Sequence, residues 1–120
     1  MSKIVPTANQ VEPVTPATWE IHPEERQEIV RQIGRMNLLS ISGGRVKALR
    51  DGIELPVNAG YHVQVILTPA DEYVVRRVFR RGGKEWERGR VDAWTGNVNQ
   101  AAYYASCYVS YDAEEWPTKF

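Results

Sequence analysis

The residues best suited to chemistry lie in one basic segment that also carries aromatic side chains. Between residues 76 and 90, seven lysines and arginines stand against two glutamates, a local net charge of +5. Gly82-Gly83, inside this segment, predicts a two-residue hairpin turn that places Arg81 opposite Lys84. Uninterrupted pairing outward from that turn sets Arg77 opposite Arg88 and Val75 opposite Arg90. One face of the hairpin then collects a candidate binding set: Tyr73, Arg77, Phe79, Arg81, Lys84, Trp86, Arg88 and Arg90.

Guanidinium groups interleaved with rings suit two kinds of macromolecular binding. Sheet surfaces bind single-stranded nucleic acid by stacking bases on rings and meeting phosphates with arginines, and tryptophan, tyrosine and arginine also dominate protein interfaces. The structural alternative is that Phe79 and Trp86 form a cross-strand pair covered by arginine stems. Like charges at Arg77 and Arg88 require an anionic group between them, either a phosphate or a carboxylate of the acidic tail.

Other chemistries find little support in the residues. Cys107, with His62 or His22 as base, would be the nucleophile, but its segment is expected to be buried and has no local positive charge. One cysteine and two distant histidines show no metal-ligand spacing. Residues 42–45, Ser-Gly-Gly-Arg, favour a helix-ending turn over an anion site and lack a phosphate-loop spacing. We therefore predict that the protein is not an enzyme and uses no cofactor or metal.

Composition sets the class and the compartment. The chain has 120 residues, with 15 basic residues matching 15 acidic ones, which excludes a disordered acidic chain, a coiled coil and a disulfide scaffold. A lone cysteine fits a reducing compartment. The N-terminus has no apolar signal region, and no window reaches the roughly 20 apolar residues that span a bilayer. We expect a cytoplasmic protein without a membrane partner.

The elements that must position these residues follow from hydrophobic periodicity. A helix should begin at His22-Pro23, pass through Gly34 weakened but unbroken, and end near residues 37–39. Alternating apolar residues and glycine turns then predict five strands, at 45–49, 53–57, 61–67, 73–81 and 84–94.

A second helix is favoured from Asn97 onward, where a capping-box-like start precedes three alanines, although residues 103–109 also alternate as a strand would. The strand connections are too short for parallel crossovers. The predicted class is therefore α+β, with an N-terminal helix, an antiparallel sheet of about five strands in hairpins, a C-terminal helix, and the helices on one sheet face.

The domain organisation has three parts. Residues 1–18 are a proline-containing arm, flexible or extended; residues 19–110 form one α+β domain; residues 111–120 are an acidic, aromatic tail. Trp19 and Ile21 are the first side chains expected to dock on the core.

Four segments carry a family resemblance: residues 37–45, 60–67, 71–79 and 102–108, within a span of roughly 36 to 109. They resemble a small domain of actinobacterial phages and mobile elements that has no established activity. The resemblance implies a phage or prophage context and supplies no catalytic residues to transfer.

Together these observations predict a non-catalytic phage-type accessory protein that binds another macromolecule through the face of the 73–92 hairpin. A host or phage protein is the favoured partner, and nucleic-acid binding by the same face is the alternative. A homodimer is also possible, because the edge strands of two copies could pair with each other.

Overall fold

An antiparallel sheet with helices on one face organises the protein. The structure, a computed structural model, describes residues 12–14 and 17–107. The elements are β1 (Glu12–Pro13), α1 (Pro23–Ile33), α2 (Arg35–Ser42), β2 (Lys47–Leu49), β3 (Gly52–Pro56), β4 (Tyr61–Leu67), β5 (Tyr73–Arg81), β6 (Lys84–Ala93) and α3 (Val98–Cys107). The strand order is β1-β6-β5-β4-β3-β2, with every neighbouring pair antiparallel. The predicted α+β class with a helix at each end is confirmed.

Gly34 divides the predicted first helix in two, which corrects the expectation of one helix ending at 37–39. Its backbone, at φ 88° and ψ 148°, lies outside the helical region, in a conformation that glycine adopts most readily. Helix α2 then continues to Ser42 and buries Leu38 and Ile41. Gly43 (φ 67°) ends α2, and its N–H donates to Leu39 O at 3.0 Å. This is the helix-ending turn predicted for residues 42–45.

Residues 98–107 are helical, so the strand alternative for this segment is wrong. Val98, Ala101, Ala102 and Ala105 are fully buried, and their small side chains let α3 lie close to β4 and β5. The predicted capping box is absent at this start, since Asn97 Oδ1 accepts from Trp94 N at 2.8 Å instead. None of the helices in the described part of the chain is long and apolar enough to cross a membrane.

The main core lies between the helices and one sheet face. Its sheet side comes from alternate residues of β3 to β6, and its helix side from α1, α2 and α3. Ile21 is buried in this core and Trp19 packs against it, as predicted. The predicted tail, 111–120, and most of the predicted arm lie outside the described residues, but Glu12 and Pro13 of that arm pair with Glu87 and Trp86 of β6.

A bulge in β6 changes the predicted register of the 73–92 hairpin. Pairing runs as expected from the turn as far as Val78 opposite Glu87, but then shifts by one residue, so that Arg76 faces Arg90 and Val75 faces Val91. The predicted pairing of Val75 with Arg90 is therefore wrong. Because side chains alternate between faces, the extra residue moves Arg90 away from the helix side of the sheet.

Candidate binding faces of the sheet

Five side chains form a cluster on the helix side of the sheet, near the hairpin turn. We call them the distal cluster: Tyr61, Arg77, Phe79, Trp86 and Arg88. The Tyr61 and Phe79 ring centroids are 5.0 Å apart, and Phe79 stacks on Trp86 at 6.0 Å and 26°. The Arg77 guanidinium carbon lies 4.4 Å from the Tyr61 ring centroid, a cation–π distance. The guanidinium of Arg88 lies 5.9 Å from Tyr61 and 5.8 Å from Phe79.

Tyr61 is the member that sequence reasoning missed. It belongs to β4 and lies directly opposite Phe79 of β5, outside the hairpin that drew attention. Gly60 helps this approach, because a Cβ there would lie 3.1 Å from Phe79 Cε1 and 2.8 Å from Arg80 O. The signal was available, since the alternation along 61–67 already placed Tyr61 on the same face as Val63 and Val65.

The distal cluster is separate from the main core. Tyr61, Phe79 and Trp86 are partly buried, yet none of them belongs to the core or packs against it. Arg77 is only 2% exposed. The helix side of the sheet therefore carries two separate packed groups, the main core under the helices and the distal cluster near the hairpin turn.

Six of the eight predicted site residues share this region, and two do not. Arg77, Phe79, Trp86 and Arg88 belong to the distal cluster, and Arg81 and Lys84 are exposed at the adjoining turn. Tyr73 is instead a core residue, and burial raises the pKa of its phenol. Arg90 lies on the opposite face because of the bulge.

The opposite face carries a chain of polar contacts that joins β3, β4, β5 and β6. Gln64 Nε2 donates to Glu54 Oε1 at 2.8 Å, and Arg76 Nε donates to Gln64 Oε1 at 2.6 Å. Arg76 Nη1 lies 3.7 Å from Glu87 Oε1, and Arg90 Nε donates to Glu87 at 2.7 Å. We call this set the polar ladder: Glu54, Gln64, Arg76, Arg80, Glu85, Glu87 and Arg90. Two sequence signals point to it: Glu54 is a charge between the apolar residues Ile53 and Leu55, and counting from the Gly82-Gly83 turn sets Arg80 opposite Glu85.

The polar ladder neutralises part of the positive charge of residues 76–90. Arg80 Nη2 donates to Glu54 Oε1 at 2.7 Å and also pairs with Glu85. Burial by itself raises the pKa of the Glu54 carboxyl, but hydrogen bonds from Arg80 and Gln64 and the positive charge of Arg80 outweigh it, so that the pKa is lowered. Three arginines of the ladder match three glutamates. The other four basic residues of the segment lie on the distal side.

His62 lies between Arg80 and Glu54 on β4. Its Nε2 is 3.3 Å from Arg80 Nη1, and its Nδ1 is 3.3 Å from Glu54 Oε2. Because arginine only donates, Nε2 must be the accepting nitrogen and the ring proton sits on Nδ1. Burial lowers the pKa of His62, which keeps the ring neutral.

Cys107 is exposed, contrary to the expectation that its segment is buried. The reason is helical periodicity: the buried stripe of α3 is formed by residues 98, 101, 102 and 105, and residue 107 falls on the other side. The two histidines considered as its base lie on other elements, His22 at the start of α1 and His62 on β4. No group of metal-ligating side chains occurs within residues 12–14 and 17–107.

Comparisons with known proteins gave no matching family model, no matching curated protein and no matching solved structure.

Proposed function

We propose that this chain is a non-catalytic, phage-type accessory protein that binds a host or phage protein through its distal face. The distal face consists of the distal cluster together with Arg81 and Lys84. One observation carries the proposal: arginines and rings are packed together outside the main core, beside two exposed cations. The phage context rests on the four segments that resemble a domain of actinobacterial phages.

Packing of this kind suits protein recognition. Interface hot spots are enriched in tryptophan, tyrosine and arginine that sit in well-packed surroundings. Here Trp86 is held against Phe79, so little side-chain freedom would be lost when a partner covers it. Arg81 and Lys84 lie at the rim of the face, where charges steer association more than they add affinity.

The ring geometry favours a protein over a nucleic acid. Base recognition needs aromatic faces that are open for stacking. Arg77 covers one face of Tyr61, and Phe79 and Trp86 stack on each other. Four cations on one side of the sheet keep single-stranded nucleic acid as the second candidate.

The test compares two double variants with equal loss of charge. Arg81→Ala/Lys84→Ala removes two exposed cations from the distal face, whereas Arg45→Ala/Lys47→Ala removes two exposed cations beside β2. Each full-length chain is used to capture proteins from a phage-infected actinobacterial lysate, and the captured protein is then purified for titration. We expect association at least about tenfold slower at low salt for the first variant, because exposed rim cations steer the encounter, and an unchanged association rate for the second.

Equal capture of every protein by both variants would overturn the proposal. A single-stranded oligonucleotide titrated at low and moderate salt decides the second candidate. Affinity that falls steeply with salt, and is lost only in the distal-face variant, would replace the protein partner by nucleic acid.

A further inference from the structure

A cleft opens on the sheet face opposite the helices, on the same side as the polar ladder. Its volume is about 170 Å³. The N-terminal segment forms one wall and the ends of β4, β5 and β6 form the floor. The lining residues are Ala17, Trp19, Asp51, Ile66, Thr68, Val74, Arg76 and Arg90.

Asp51 presents a carboxylate to this cleft. The residue is only 6% exposed, yet in the described part of the chain its side chain makes no hydrogen bond or ion pair. Its position is fixed by the backbone, because Leu67 N donates to Asp51 O at 2.8 Å. The next residue, Gly52, lies so close to β4 that a Cβ there would be 1.9 Å from Val65 O. The backbone of Asp51 is therefore fixed next to β4, and its carboxylate has hydrogen-bonding capacity left over.

Arg76 presents the opposite charge. It is 9% exposed, and its Nε is engaged by Gln64. Among the described residues its terminal nitrogens make no hydrogen bond, the nearest carboxylate oxygen being Glu87 Oε1 at 3.7 Å. Burial lowers the pKa of this guanidinium, against the negative charges of Glu87 and Asp51. Although Glu87 balances its charge, the terminal N–H groups of Arg76 still have room for a ligand carboxylate, which would accept from them in a forked geometry.

Apolar side chains flank these charges. The Trp19 indole is anchored by its Nε1–H on Leu67 O at 2.8 Å. Ile66 and Val74, paired across β4 and β5, supply an aliphatic floor. A cavity of about 150 Å³ holds a molecule such as benzene, so an apolar side chain of similar size fits this space.

We propose that the cleft binds a small zwitterion, an α-amino acid with an apolar side chain. Its carboxylate would lie on the terminal nitrogens of Arg76, its ammonium on Asp51, and its side chain between Trp19 and the floor. A simple anion would be repelled by Asp51 and a simple cation by Arg76, whereas a zwitterion satisfies both. This site lies on the opposite side of the sheet from the distal face.

Calorimetric titration of the full chain tests the proposal with three matched probes. Phenylalanine carries both charges, phenylacetate only the carboxylate, and 2-phenylethylamine only the ammonium. We expect phenylalanine to bind and the other two to bind at least about tenfold more weakly, because phenylacetate is repelled by Asp51 and 2-phenylethylamine by Arg76. Leucine serves as a second zwitterion with an aliphatic side chain.

Two variants and a control locate the site. Asp51→Asn removes the negative charge while keeping the size of the side chain and the backbone bond from Leu67 N to Asp51 O. We expect about tenfold or greater loss of phenylalanine affinity in Asp51→Asn and in Arg76→Lys. Asp71→Asn, an exposed change outside the cleft, should bind as the wild type does.

Failure of the wild-type chain to bind either amino acid would overturn the proposal and leave Asp51 and Arg76 as a solvent-bridged pair. Binding that survives in Asp51→Asn would also overturn it. The Arg81→Ala/Lys84→Ala variant is expected to bind phenylalanine normally, so that this proposal and the distal-face proposal succeed or fail independently.

Discussion

Arg76 and Arg90 face each other across β5 and β6, although counting outward from the Gly82-Gly83 turn pairs Arg76 with Gly89. The difference is one extra residue in β6. It turns Arg90 toward the polar ladder and Val91 toward the core. The position of the bulge therefore decides which side chains of β6 lie on each face of the sheet.

Replacement of Gly89 should destabilise the hairpin. Gly89 has φ 150° at the bulge, a backbone conformation that side-chain-bearing residues rarely adopt. We expect Gly89→Ala to lower the free energy of unfolding by about 1–3 kcal/mol, measured by chemical denaturation. Gly82→Asn is the control, because Gly82 (φ 61°) sits in a turn where asparagine is favoured. Equal stability of Gly89→Ala and the wild type would show that the bulge does not require glycine.

The buried carboxylate of Glu54 should matter more than a surface one. Glu54 is 1% exposed and receives donors from Arg80 and Gln64. Glu54→Gln should cost about 1–3 kcal/mol of unfolding free energy, because a charged partner is left poorly satisfied. The matched change Glu28→Gln, at the exposed pair with Arg31, should cost less than Glu54→Gln, because solvent screens the pair. A larger loss in Glu28→Gln than in Glu54→Gln would contradict this ranking.

His62 should make stability fall as the solution becomes more acidic. Its ring faces Glu54, Arg80, Glu85 and Lys47, and burial, the largest influence, lowers its pKa in the folded state. The unfolded chain therefore binds more protons near its ordinary pKa of about 6.5, and stability is lost as the pH falls through that value. Unfolding free energies measured between about pH 7.5 and 5.5 should decline less steeply in His62→Gln than in the wild type.

The control for this pH dependence is Gln27→Asn, an exposed change on α1 that alters no titratable group, and its slope of stability against pH should equal the wild-type slope. An unchanged slope in His62→Gln would mean that this ring does not couple folding to pH.

The close packing of α3 should tolerate no larger side chain. Ala102 is fully buried between α3 and the sheet. Ala102→Leu should lower the thermal midpoint and cost about 1–3 kcal/mol through overpacking, whereas Gln100→Leu, on the exposed side of the same helix, should change stability by less than about 0.5 kcal/mol. Similar midpoints for both variants would mean that the interface has spare volume.

Local pattern was enough to predict most elements. Alternation along 61–67 and 73–81 gave strands at the observed bounds, and the apolar spacing at Val98, Ala101 and Ala105 gave the last helix. The break at Gly34 was missed because a glycine inside a helical pattern costs only about 1 kcal/mol, so sequence does not reveal whether the chain bends there.

The sequence by itself determined the α+β class, the hairpin turn at Gly82-Gly83 and the pairing next to it, because these depend on neighbours along the chain. The tertiary structure decided the bulge, the face on which Arg90 lies, the ring of Tyr61 in the distal cluster, and the approach of Trp19 to Asp51 and Arg76. These features join residues that are far apart in sequence. Their energies depend on distances between strands and segments, which no local pattern encodes.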